Sequence, residues 1–133
     1  MPGMEPASRY TELRRKEAIS PKVLYAVDAT AGPGSAVHDL EALTTAAVGA
    51  VSAGAGHVLD VSHVVFPNGA ITLVLILAES HLSIHTWPEE SLVAIDLFSC
   101  GAIDGQAVVG LLVRELALER AAVRELPRGV PAG

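Results

Sequence analysis

The run Ala70 to Ala78, apolar throughout except for Thr72, constrains the fold of this chain more than any other segment. It is about half as long as a membrane-spanning helix needs to be, and it follows the turn triplet Pro67-Asn68-Gly69. It therefore reads as a strand, apolar on both faces, over Ile71 to Ala78. The valine-rich stretch His57 to Phe66 on the other side of the turn completes a predicted hairpin. No transmembrane segment is expected.

The remaining elements follow from period and punctuation. Val23 to Ala29 is apolar enough for a first strand, and Thr30 to Ser35, with two glycines and a proline, breaks it. Asp39 is a plausible N-cap for a helix on which Leu40, Leu43, Ala47, Val48 and Val51 recur at helical spacing until Gly54 and Gly56. After a polar centre, Glu79 to Glu90, the segment Leu92 to Phe98 reads as a strand. Gly101 to Gly105 is a loop, and Asp104 caps a second helix with Val108, Leu111, Leu112 and Leu116 on one face. A short last strand is predicted near Ala122 to Leu126. Strands joined by tight turns and interspersed with two amphipathic helices imply an α+β fold, a two-layer sandwich in which an antiparallel sheet is covered on one face by two helices.

At 133 residues, the chain suits one domain, residues 20–133, preceded by a polar arm, residues 1–19, in which Tyr10 to Ala18 can form a short helix. A formal charge of -6, with no basic cluster beyond Arg14, Arg15 and Lys16, argues against nucleic acid as a partner. The single cysteine, Cys100, has no internal disulfide partner, and the start of the chain lacks the pattern of a secretory signal, so a cytoplasmic setting is expected. The only lysines are Lys16 and Lys22, away from the polar centre, which makes a lysine-bound cofactor hard to build.

That polar centre, Glu79-Ser80-His81-Leu82-Ser83-Ile84-His85-Thr86-Trp87-Pro88-Glu89-Glu90, packs two histidines, three hydroxyls, three carboxylates and the only tryptophan into twelve residues, with Phe98-Ser99-Cys100-Gly101 shortly after. Such a cluster is either satisfied by hydrogen bonds or placed in a cleft for chemistry. A zinc site from His81, His85 and Cys100 has suitable ligand types but no spacing that fixes a geometry.

The run from Ala78 to Glu89, followed by Ile95-Asp96-Leu97-Phe98-Ser99-Cys100-Gly101, resembles the prokaryotic S-adenosylmethionine decarboxylase proenzymes. Phe66 to Gly69 and Glu125-Leu126-Pro127-Arg128-Gly129 add to the likeness. The resemblance implies self-cleavage between Glu79 and Ser80, with Ser80 becoming a pyruvoyl group that serves as the cofactor. It further implies His85 as the processing base, Thr72 as a hydroxyl assisting processing, and Cys100 as the proton donor after carbon dioxide leaves. Glu89 corresponds to a glutamate that binds ribose hydroxyls and Phe66 to an aromatic that stacks on adenine, while Trp87 and Pro88 read as structural. A homodimer of processed protomers, each site completed by both subunits, is also implied. The expected substrate is S-adenosylmethionine, and the product would supply the aminopropyl donor for spermidine.

The chain departs from the family pattern where substrate is concerned. Pro21-Lys22-Val23 replaces a Gly-basic-His start, no aromatic lies between Glu90 and Asp96, the turn Pro67-Asn68-Gly69 is shifted by one position, and Gly101-Ala102-Ile103-Asp104 lacks the usual polar run. Two other readings stay open at this point: the same chemistry on a plain amino acid such as ornithine or arginine, and a non-catalytic homologue that binds a metabolite. Asp28 is a further candidate carboxylate.

Overall fold

The structure is a computed structural model that describes residues 10–12, 15 and 20–131. Its main elements are β1 (Lys22–Ala31), α1 (Leu40–Ala53), β2 (Val58–Val65), β3 (Ile71–Leu77), β4 (Ser80–Trp87), a 3-10 turn (Pro88–Glu90), β5 (Leu92–Cys100), α2 (Gly105–Glu115) and β6 (Leu118–Arg128). The six strands form one sheet in the order β2-β3-β4-β5-β1-β6, with every neighbouring pair antiparallel. Both helices pack on one face, as the α+β sandwich requires. Much of the predicted helix Tyr10 to Ala18 lies outside the described residues.

Directly opposed residues of antiparallel strands share a face, so the register writes out the core. Leu75, Leu82, Leu97 and Tyr25 form one row under the helices, and Leu73, Ile84, Ile95 and Val27 the next. Leu43, Ala47 and Val51 of α1 and Val108 and Leu112 of α2 close over them, all fully or almost fully buried. Both helices start where a carboxylate takes up an orphan amide: Asp39 accepts from the Ala42 N–H at 3.1 Å and Asp104 from the Ala107 N–H at 3.0 Å. Gly105 opens α2 because a Cβ there would lie 2.3 Å from the Tyr25 ring. Leu97 sits at the centre of this packing with no exposed surface. Leu97→Ala is expected to cost about 2–5 kcal/mol of stability, read from urea unfolding.

Four elements differ from the sequence reading. Residues Ser80–Trp87 form β4, a central strand, rather than an irregular polar centre. The signal is a period of two: Leu82, Ile84 and Thr86 turn inward while His81, Ser83, His85 and Trp87 share the opposite, helix-free face. The last strand runs over Leu118–Arg128, far beyond Ala122 to Leu126, and carries Pro127 because it is an edge strand, where a missing N–H is tolerated. The first strand likewise extends through Thr30 to Ala31. Finally, β3 is apolar on both faces but covered on one, leaving Ile76 47% exposed.

Candidate active site

The turn between β3 and β4 is Ala78-Glu79, closed by the pair Leu77 and Ser80. Two-residue hairpins favour primed turns with positive φ inside the loop. Here the positive φ falls just outside it: Ser80 has φ 138°, a conformation L side chains rarely adopt. The backbone strain therefore sits at the residue that carries the hydroxyl.

Glu79 is held from two sides. Its side chain is 1% exposed, and its carboxylate accepts the His57 backbone N–H at 2.9 Å and meets His57 Nδ1 at 2.7 Å. Its carbonyl oxygen accepts the Cys100 thiol at 3.2 Å. A thiol donating to a carbonyl draws electron density from the carbonyl carbon, and the neighbouring residue is a serine. The structure thus brings together Glu79, Ser80 and Cys100 of the expected site and adds His57, which sequence reasoning missed; its position right after Gly56, at the entry to β2, was the available signal.

Thr72 and His85 meet elsewhere. The Thr72 hydroxyl is 3.3 Å from His85 Nδ1, because the two residues are register partners on the helix-free face. They line a cleft of about 550 Å³ together with Phe66, Pro67, Asn68 and Trp87. Trp87 does not fill the core: it is 41% exposed, with its ring 6.1 Å from that of His85. Phe66 is 46% exposed at the end of β2. Glu89, just past β4, accepts from the Asn68 amide at 2.7 Å. A backbone N–H and then that amide hold the Glu89 carboxyl below its usual range. Asn68 is thus a second residue missed from sequence, where it read only as a turn former.

The two groups lie at opposite ends of β4. Five residues of extended strand separate Ser80 from His85, a span of about 16 Å between their α-carbons. Within one copy of the chain His85 and Thr72 do not reach Ser80. Asp28 stands two strands from His85 in the same cross-sheet row, where Arg124 pairs with it at 2.8 Å. Towards the other end, the His81 ring stacks on Phe98 at 6.0 Å and the Arg128 guanidinium lies 5.3 Å from the Phe98 centroid. Among the described residues no three His, Cys, Asp or Glu side chains converge as a metal-ligand set.

Comparison with known proteins gives one family. The family described as S-adenosylmethionine decarboxylase matches residues 24–129. Similar curated proteins include the S-adenosylmethionine decarboxylase proenzyme 2 of Bacillus cereus, 37% identical over 97 residues, covering 72% of this chain and 79% of that one. The S-adenosylmethionine decarboxylase proenzyme of Brevibacillus brevis is 41% identical over 96 residues, or 71% of each chain. Among solved structures, the adenosylmethionine decarboxylase from Aquifex aeolicus superposes with a TM-score of 0.74 at 24% identity, covering 85% of this chain and 94% of that one, and so shares the fold. With a family match spanning nearly the whole sheet and both helices, the chain belongs to the S-adenosylmethionine decarboxylase family.

Proposed function

We propose that this protein is a self-processing, pyruvoyl-dependent decarboxylase of S-adenosylmethionine, and that its Glu79-Ser80 bond is the cleavage site. One observation carries the reading: the Glu79 carbonyl accepts a thiol proton from Cys100 while the next residue, a serine, is held at φ 138°. Strain raises the energy of the intact junction and the thiol steadies charge developing on the carbonyl oxygen. In the first step Ser80 Oγ bonds to the Glu79 carbonyl carbon, the C–N bond breaks, and the serine proton ends on the freed nitrogen, leaving an ester. A base then removes the Ser80 α-proton, the Cβ–O bond breaks, and Glu79 leaves as a C-terminal carboxylate. The dehydroalanine at position 80 takes up water, releases ammonia and becomes a ketone.

The residues present fit such a group: a serine supplies its carbons and a thiol stands at the adjoining carbonyl. Once formed, a pyruvoyl ketone supplies an electron sink for loss of the substrate carboxylate. In this reading Cys100, buried beside the junction, returns a proton to the substrate α-carbon. The cleft between Phe66 and Trp87 offers aromatic faces, and Glu89, hydrogen-bonded to Asn68 of its lining, adds a carboxylate beside it; together they suit an adenine, a sulfonium and ribose hydroxyls. A plain amino acid such as ornithine would use neither aromatic wall, which favours the nucleoside-bearing substrate.

His85 enters this chemistry from a second copy of the chain. The helix-free face of the sheet carries a cross-strand row, Ile76, His81, Phe98, Leu24 and Leu126, apolar but for His81, with Ile76 and Leu126 47% and 55% exposed. Packing that face on its twin covers the row and, with the two sheets opposed about a two-fold axis, sets the Thr72-His85 end of one copy against the Ser80 end of the other. In the tautomer that donates Nδ1–H to the Thr72 hydroxyl, His85 Nε2 carries the lone pair a base needs. Mixed dimers test this. Ser80→Ala and His85→Ala chains refolded together are expected to cleave the His85→Ala chain in the mixed dimer, whereas each alone remains intact; an uncleaved mixture contradicts the shared site.

A further inference from the structure

We propose that His57 is the positioning residue of the cleavage junction, a clamp that fixes Glu79 so that its carbonyl stays on Cys100 and open to the Ser80 hydroxyl. This rests on the self-cleavage reading and adds to it a residue at the far end of the first hairpin. Three contacts converge from this one position. The His57 carbonyl accepts the Ala78 N–H at 2.9 Å, the His57 N–H donates to Glu79 Oε1 at 2.9 Å, and its ring Nδ1 meets Glu79 Oε2 at 2.7 Å. Both oxygens of a carboxylate that is 1% exposed are thereby occupied by a single residue.

A buried carboxylate without partners is costly, so such a grip fixes the side chain firmly. Glu79 is held at its side chain by His57 and at its carbonyl by Cys100, which leaves the peptide plane between Glu79 and Ser80 little freedom to rotate. That restriction is what an attack by the adjacent hydroxyl requires, since reacting atoms held in line convert binding into rate. The arrangement also outlasts cleavage: Glu79 becomes the end of the first fragment, and its side chain stays bound to a residue of that same fragment. The His57 ring is 44% exposed, and its other neighbour is Tyr10, whose ring lies 5.1 Å away. His57 therefore touches no reacting atom and acts through Glu79.

The test is the rate of chain cleavage after cell-free synthesis with a pulse of labelled amino acid, followed by gel and mass spectrometry for the wild-type chain and for His57→Phe, His57→Ala and His57→Asn. His57→Phe keeps a ring and loses the donor. His57→Asn restores an N–H close to the place of Nδ1. The phenylalanine and alanine variants are expected to cleave about tenfold or more slowly than wild type, and the asparagine variant within about threefold of it. Circular dichroism melting on each variant, combined with Ser80→Ala so that the chain stays uncut, identifies a variant that has lost its fold, and the two donorless variants together keep the comparison open if one has. Donorless but folded chains that cleave at the wild-type rate, or an asparagine variant as slow as phenylalanine, overturn the clamp. A wild-type chain that never cleaves overturns the self-cleavage reading instead.

Discussion

Ser80→Ala is expected to give a single uncut polypeptide with no measurable release of carbon dioxide from S-adenosylmethionine. The effect is total because the hydroxyl serves as nucleophile and, once acylated, as the leaving group whose loss makes the dehydroalanine, and an alanine has no β-leaving group from which the ketone could form. Alanine at φ 138° keeps the backbone strain but lacks the atom that uses it. Stability is expected to change little, since Ser80 lies at a turn and is not part of the core. Electrophoresis and a carbon dioxide assay read both outcomes. A Ser80→Ala chain that divides, or that decarboxylates, removes the basis of the proposed mechanism.

The second large effect concerns Cys100, to which the proposed mechanism gives two tasks. Its thiol donates to the Glu79 carbonyl oxygen in the uncut chain, and in the proposed mechanism the same thiol would later supply the proton to the substrate α-carbon. Cys100→Ala removes both, so cleavage slows by about 10²-fold or more, the usual loss when one donor to a developing oxyanion is deleted. Cys100→Ser separates the tasks. A hydroxyl still donates to the carbonyl, so cleavage stays within about tenfold of wild type, but it is a far weaker acid than a thiol, and turnover per cleaved protomer falls by about 10²-fold or more. Single-turnover cleavage and steady-state decarboxylation, measured on the same preparations, give the two numbers. Equal losses in both, for serine as for alanine, contradict the double role.

Much of this was legible in the sequence, for reasons that can be traced to particular residues. The turn at Pro67-Asn68-Gly69 and the apolar run after it specify β2 and β3, and Asp39 and Asp104 announce both helices, because caps and turns are local chemistry. The juxtaposition of Glu79, Ser80 and Cys100 followed from the family likeness and reappears as a hydrogen bond between β5 and the β3–β4 turn. β4 was hidden because His81, Ser83, His85 and Trp87 fill one face and mask the alternation of Leu82, Ile84 and Thr86 beneath. His57 was hidden for a different reason: its contact with Glu79 spans 22 residues and exists only once β2 pairs with β3. The exposure of Ile76 and Trp87 was equally illegible, since an apolar strand looks the same whether its second face is covered by its own chain or by another copy.

Mass spectrometry of the purified wild-type protein, under denaturing conditions, is the most direct measurement. Two chains are expected, residues 1–79 ending in a free carboxylate at Glu79 and residues 80–133 beginning with a pyruvoyl group that resists sequential N-terminal degradation. A sole species with the mass of all 133 residues, or a second fragment with an ordinary serine amine at its start, contradicts the proposed self-cleavage.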